Sequence, residues 1–184
     1  MLRASLHLRY TACYVSRLSR KDTHMKHWIV VGSPDNFQVA IDRGFDLFGF
    51  KSTRRKASGE MEPGDKLVFY LTGIKMFGGI ATVKSDSFED HSKLFTSEKK
   101  PEEDYPFRVK TKADIILKED QMLYVPDFVP LLEFTKKGET KSWAMHFQGN
   151  LHKISEFDYK LLEKAMKARK KAKPRAKAKA KAKA

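Results

Sequence analysis

The chain of 184 residues is long enough for one domain of ordinary size and short for two, and a core of that size closes without disulfides or metal. Its single cysteine, Cys13, excludes a disulfide framework and a zinc site built on several thiolates, and no apolar run is long enough to span a membrane. The formal charge of +14 sits at the two ends: residues 1–24 hold five cations against Asp22, residues 167–184 hold eight lysines and two arginines with no acid, and residues 25–166 are neutral overall.

Residues 1–24 have the Arg- and Ser-rich, acid-poor composition of a transit peptide, yet Met25-Lys26-His27-Trp28 leads straight into a β-branched strand. The extension is therefore expected to be disordered or to precede the true start. Ser33 and Pro34 then open a helix whose apolar face is Phe37, Ala40 and Ile41, and Gly44 is placed to end it. The aromatic segment 45–50 follows, and the polar stretch 51–60 reads as a surface loop. Pro63-Gly64-Asp65 is a turn that feeds a strand at 66–71. Its partner strand at 77–83 carries Gly78 and Gly79, which suggest a bulge or a close backbone approach. A long irregular connection leads to a strand at 105–110. Trp143–Phe147 reads as a further short strand. Ser155 and Asp158 start the last helix, with Phe157, Leu161, Leu162, Ala165 and Met166 on its buried face. The Lys-Ala run beyond it has no apolar stripe and dense like charge, so 167–184 is expected to be a disordered basic tail. Few helices lie between strands, which predicts an α+β fold with a small curled sheet or barrel and helices at its ends.

Five segments taken together, HWIVV, FGF, PGDKLVFYL, FGGIATV and YPFRV followed by SWAMHFQG, resemble the EVE domain family in order and spacing across residues 25–166. The resemblance is to its compact prokaryotic branch of uncharacterised proteins, within the PUA-like group and related to YTH domains. It implies a small mixed β-barrel with flanking helices, a concave pocket for one flipped-out base, and no catalysis or cofactor. By the same resemblance, Phe48 takes the place of a cage tryptophan, and Gly49 and Phe50 follow where the backbone nears the base. Phe95 and Tyr105 are candidates for a second wall.

A flipped base must recover its unstacking energy from flat apolar partners on two faces and from a few fixed polar groups at its edge. The candidate pocket residues are Trp28, Asn36, Phe48, Gly49, Phe50, Gly78, Tyr105 and Trp143. Glycines 49 and 78 would let a base come close, and Asn36 would bond its edge in two directions. Each has a structural alternative: core packing for the tryptophans and Phe50, a strand edge for Tyr105, a local backbone contact for Asn36. Arg54, Arg55 and Lys56 form a basic loop, either solvated or touching phosphate. Lys170, Lys171, Lys173 and Arg175 belong to the tail, which would attach to phosphates without sequence choice or simply solubilise the chain.

The function expected is a cytoplasmic, monomeric, non-catalytic module that binds DNA or RNA and favours a modified base. A hydrolase like those of the ASCH group is the enzymatic alternative and would need a titratable cluster, for example around Lys51, Glu133 or His146. A third reading is a binder of structured RNA by shape. No phosphate-cradling glycine loop, nucleophile elbow or paired-histidine zinc motif is present in the sequence.

Overall fold

A computed structural model describes residues 25–97, 101–135 and 142–171. The expectations for residues 1–24 and for the tail from 172 onward, Lys173 and Arg175 included, fall outside these residues.

Strand β1, His27–Gly32, leads through Ser33 into helix α1, Pro34–Asp42. The Ser33 side chain accepts the Asn36 N–H at 3.3 Å, and Gly44 leaves the helix at φ +68°, as the cap signals predict. Strand β2 is Leu47–Phe50. The stretch after it is not a plain loop: a 3-10 turn at Ser52–Arg54 runs into a short helix α2, Arg55–Gly59, where Ser58 is buried and its hydroxyl bonds the Arg54 and Arg55 carbonyls.

Strands β3, Lys66–Leu71, and β4, Met76–Val83, pair antiparallel with a register shift at Phe69/Tyr70, where Phe69 faces Gly79 and Tyr70 faces Phe77. Gly78 is the extra residue of that bulge. Strand β5, Phe88–Glu89, and the ten-residue β6, Phe107–Ile116, follow, then β7, Leu123–Tyr124, and β8, Leu151–Ile154. The main sheet runs β2-β6-β4-β3-β1-β8, with β5 on β6 and β7 on β4. Among the described residues only β1 and β3 pair in parallel, because the chain between them crosses over through α1, β2 and α2. The fold is thus mixed α+β, a curled half-barrel sheet with three α-helices among the described residues.

The sheet is buried on both faces. Trp28, Val30, Leu67, Phe69 and Leu71 share one core with Phe37 and Ala40 of α1 and with Phe45, Phe48 and Phe50. Their neighbours Ile29, Val68 and Tyr70 turn to a second core under the last helix, α3, Glu156–Lys171. This is the two-residue period of a strand read on both sides, so the strands are near-continuous apolar runs.

Two sequence expectations change here. Trp143–Phe147 is a 3-10 helix; a short apolar run does not reveal its period. On α3 the buried residues are Asp158, Tyr159, Leu162 and Met166, while Phe157 is about half exposed and the helix continues to Lys171. Asp158 explains the rotation. It is fully buried, and its two carboxylate oxygens accept the Glu133 and Phe134 N–H groups at 2.8 and 2.9 Å, tying α3 to the preceding loop.

Candidate functional site

A cavity of about 600 Å³ lies where the end of β1 and the start of α1 meet the turn after β2, the segment 95–97 and the segment 147–150. Its wall combines the rings of Phe48, Phe95, Tyr105 and Phe147 with polar groups of Ser33, Asp35, Asn36, Thr96 and Asn150 and with two cations, Lys51 and Arg54. Volume and lining suit a small organic ligand, since such sites are largely apolar with a few placed polar groups.

The rings meet one another edge-on or tilted. Phe48 lies 5.0 Å from Phe95 and 5.6 Å from Phe50, and Phe95 meets Tyr105 at 5.5 Å and 88°. They form a continuous apolar wall, with Phe48 6%, Phe95 2% and Tyr105 7% exposed. Among the described residues these pairs do not make the two opposed, parallel faces that stacking on both sides of a base requires. Lys51 Nζ stands 5.9 Å from the Tyr105 ring centroid and covers that ring.

Asn36 is buried, and its amide makes a two-way pair with the Thr96 backbone, Nδ2 donating to the Thr96 carbonyl at 2.9 Å and Oδ1 accepting its N–H at 3.1 Å. The Tyr105 hydroxyl donates to the same carbonyl at 3.1 Å. Burial pushes the Tyr105 phenol above its ordinary pKa, so it stays a donor. Tyr105 also takes a left-handed backbone, φ +53°, which costs a non-glycine residue of order 1–2 kcal/mol. Its carbonyl accepts Arg108 Nε at 3.2 Å and its N–H donates to Glu103 at 3.3 Å, which holds it there. Arg108, 1% exposed, also bonds Asp90, Ser92 and the Asp104 carbonyl, so one guanidinium gathers both ends of the segment that walls the cavity. Glu103 joins that segment to the turn after β2 through the Ser52 N–H and hydroxyl, each at 2.9 Å.

Of the eight pocket candidates, the structure brings Asn36, Phe48, Gly49 and Tyr105 to the cavity. Trp28 does not line it; the ring is buried and its indole N–H donates to Asp65 at 3.0 Å. Phe50 lies wholly inside the core behind Phe48. Gly78 lies under the Phe37 ring, only 2.8 Å from where a Cβ would stand. Gly49 lines the cavity, but the space of its missing Cβ is filled by the chain itself, with the Tyr105 carbonyl 2.9 Å away. Trp143 packs edge-on against Phe147, outside the wall.

Of the basic loop only Arg54 lines the cavity. Its Nε donates to Asn150 at 2.8 Å, and it crosses Gly149, where a Cβ would sit 2.4 Å from Nη2. The His152 imidazole lies below its ordinary pKa, first from burial and next from the Arg54 charge. Arg55 stands over the Phe107 ring at 5.8 Å, and Lys56 is exposed. Lys170 and Lys171 end α3 in the exposed state. The three residues named for an enzymatic cluster stay apart: Lys51 is at the cavity, Glu133 accepts the Ser155 hydroxyl at 2.7 Å, and His146 lies beside Phe134.

Sequence reasoning missed Thr53, Ser97, Gly149 and Asn150 among the lining residues and named Lys51 only for an enzymatic cluster. The adjoining Gly149-Asn150 pair was the available signal, since a glycine there removes the side chain that would block Arg54. Among the described residues no three metal-ligating side chains cluster, and no helix is long and apolar enough to cross a membrane.

A UPF0310 protein of Pyrococcus abyssi is 31% identical over 151 residues, covering 77% of this chain and all of that protein. Two solved YTH domains share the fold. That of the Zygosaccharomyces rouxii MRB1 protein, in complex with N6-methyladenosine RNA, has a TM-score of 0.54 and 17% identity over 78% of this chain and 88% of its own. The Pho92 YTH domain, in complex with m6A, has a TM-score of 0.55 and 15% identity over 78% and 84%. The model of the EVE domain matches residues 26–165, most of the chain, and the protein belongs to the EVE domain family.

Proposed function

We propose that this protein is a non-catalytic nucleic-acid-binding module that holds a single base, with modified bases favoured, in the cavity beside Phe48, Phe95, Tyr105 and Asn36. The observation that carries this is convergence: an aromatic wall, a buried carboxamide and two cations meet in one cavity on the fold shared with YTH domains solved with N6-methyladenosine. Binding includes a local change. A base that stacks on Tyr105 takes the place of Lys51 over that ring, and a base edge read by Asn36 replaces the Thr96 backbone as its two-way partner. Each hydrogen bond exchanged is worth about 0.5–1.5 kcal/mol net, which stacking at about 1–3 kcal/mol per aromatic contact can offset. A methyl on the base adds apolar area against the ring wall and asks for no partner.

Outside the cavity, the end of α3 with Lys170 and Lys171, continued by Lys173 and Arg175, attaches to phosphates without sequence choice. Calorimetric titration with methylated and unmethylated DNA and RNA oligonucleotides tests both parts. The methylated strand is expected to bind more tightly, with that preference reduced in Phe48→Leu and Tyr105→Leu proteins whose folding is verified by circular dichroism. Engagement of half the ten tail cations makes log K fall about 4–5 units per decade of salt on duplex DNA, and removal of residues 172–184 flattens that slope. Equal affinity for both strands in wild type and variants alike would refute the base-holding role.

A further inference from the structure

We infer that the cavity takes a base together with its own phosphate, so that its ligand is a nucleotide unit with the phosphate seated against Lys51 and Arg54. This rests on the base-holding reading above and deepens it. Three observations lead to it.

The first is size. About 600 Å³ falls within the roughly 300–1,000 Å³ that hold a whole drug-sized molecule, more than a lone base needs. The second is charge. Lys51 and Arg54 are both half-buried in the wall, and among the described residues neither forms an ion pair with a carboxylate. The wall holds one acid, Asp35, against these two cations. Partly desolvated charges without an opposite partner are costly, and a neutral nucleoside would leave them so. A phosphate monoester brings roughly −1.5 to −2 charges and three acceptor oxygens.

The third is preorganisation. Arg54 is fixed on one edge, by Nε to Asn150 and by its passage over Gly149, and its Nη groups bond to no acceptor among the described residues. That is the fork an oxyanion accepts in two places. A base resting on the Tyr105 ring would displace the Lys51 ammonium from it and free that charge for the phosphate of the same nucleotide.

The test is calorimetry on the full chain with the four common ribonucleosides and N6-methyladenosine, each also as its 5′-monophosphate and 3′-monophosphate. A trinucleotide with the best-bound base at its centre completes the series. For that base, one monophosphate is expected to bind at least about tenfold more tightly than the nucleoside, as charge-assisted hydrogen bonds provide. In the Lys51→Gln/Arg54→Gln protein the ratio of monophosphate to nucleoside affinity is expected to fall below about threefold. A trinucleotide tighter than the monophosphate assigns the seat to strand phosphates, and equal affinities assign it to free nucleotides; either supports the seat. A nucleoside that binds as tightly as both monophosphates overturns this inference and leaves the base-holding role intact, whether or not the double variant folds. Failure of every nucleoside and oligonucleotide to bind overturns both.

Discussion

Replacing Asp65 with alanine tests whether Trp28 is a structural residue. Asp65 is 2% exposed, in the turn before β3. Its Oδ1 accepts the Lys26 N–H at 2.9 Å, and Oδ2 accepts the Trp28 indole at 3.0 Å and the Glu62 N–H at 3.2 Å. Removing the carboxylate strands three donors. The indole N–H is buried and loses about 1–3 kcal/mol, and each backbone N–H, partly within reach of water, loses about 0.5–1.5 kcal/mol, giving about 2–6 kcal/mol in total. Urea denaturation followed by far-ultraviolet circular dichroism measures this loss for Asp65→Ala, Trp28→Phe and the double variant. Trp28→Phe deletes the indole donor, so the double variant should recover about 1–3 kcal/mol of the summed single losses. An Asp65→Ala loss below about 1 kcal/mol, or additivity within about 0.5 kcal/mol, would refute the argument.

In Gly49→Ala the new methyl meets the Tyr105 carbonyl at 2.9 Å, a backbone atom with little freedom, so a loss of about 1–3 kcal/mol in urea denaturation and weaker base binding are expected. Gly149→Ala puts a Cβ 2.4 Å from Arg54 Nη2 at a residue with φ +96°, and should displace the guanidinium and reduce any preference for nucleotide over nucleoside. His91 donates to Asp104 at 2.6 Å and contacts Glu89 at 3.1 Å, which raise its pKa in that order. A raised folded pKa contributes stability that is complete below the unfolded value, about 6.5, and is lost as pH rises through the folded one. The urea midpoint of wild type should therefore exceed that of His91→Gln most in mild acid, above carboxylate titration, with the gap closing in alkali. Phe48→Ala should cost about 3–5 kcal/mol, because its ring also packs against Phe50 and Phe69 at 5.6 and 5.0 Å, making Phe48→Leu the better binding probe.

Much of the scaffold was legible because its signals are local. The Ser33-Pro34 cap, the apolar run 66–71 and the bulge at Gly78-Gly79 each specify backbone from adjacent residues. The 3-10 turn at 143–147 and the helical stretch after β2 were not, since both are short and held by distant contacts. The site was legible in part. Phe48, Tyr105 and Asn36 came to the cavity, whereas Trp28 and Phe50, packed in the same core as Phe48, do not reach it. An aromatic residue announces apolar area, not whether it stops at a cavity wall or lies deeper on the same face. Gly49 and Gly78 marked close approaches, but the approaching groups are Tyr105 and Phe37. The buried Arg108 carried no such mark, since it sits among alternating residues of a strand whose loop partners lie up to 18 residues away.

The cavity wall is gathered from five stretches of the chain, near residues 30–36, 48–54, 72–73, 95–105 and 147–150. None of them is a binding fragment alone. Such non-local closure carries its entropic cost before any reward, so the pocket should be among the last parts to assemble. A ligand that recognises it then acts as a certificate of complete folding and, by mass action, raises the melting temperature of the whole domain.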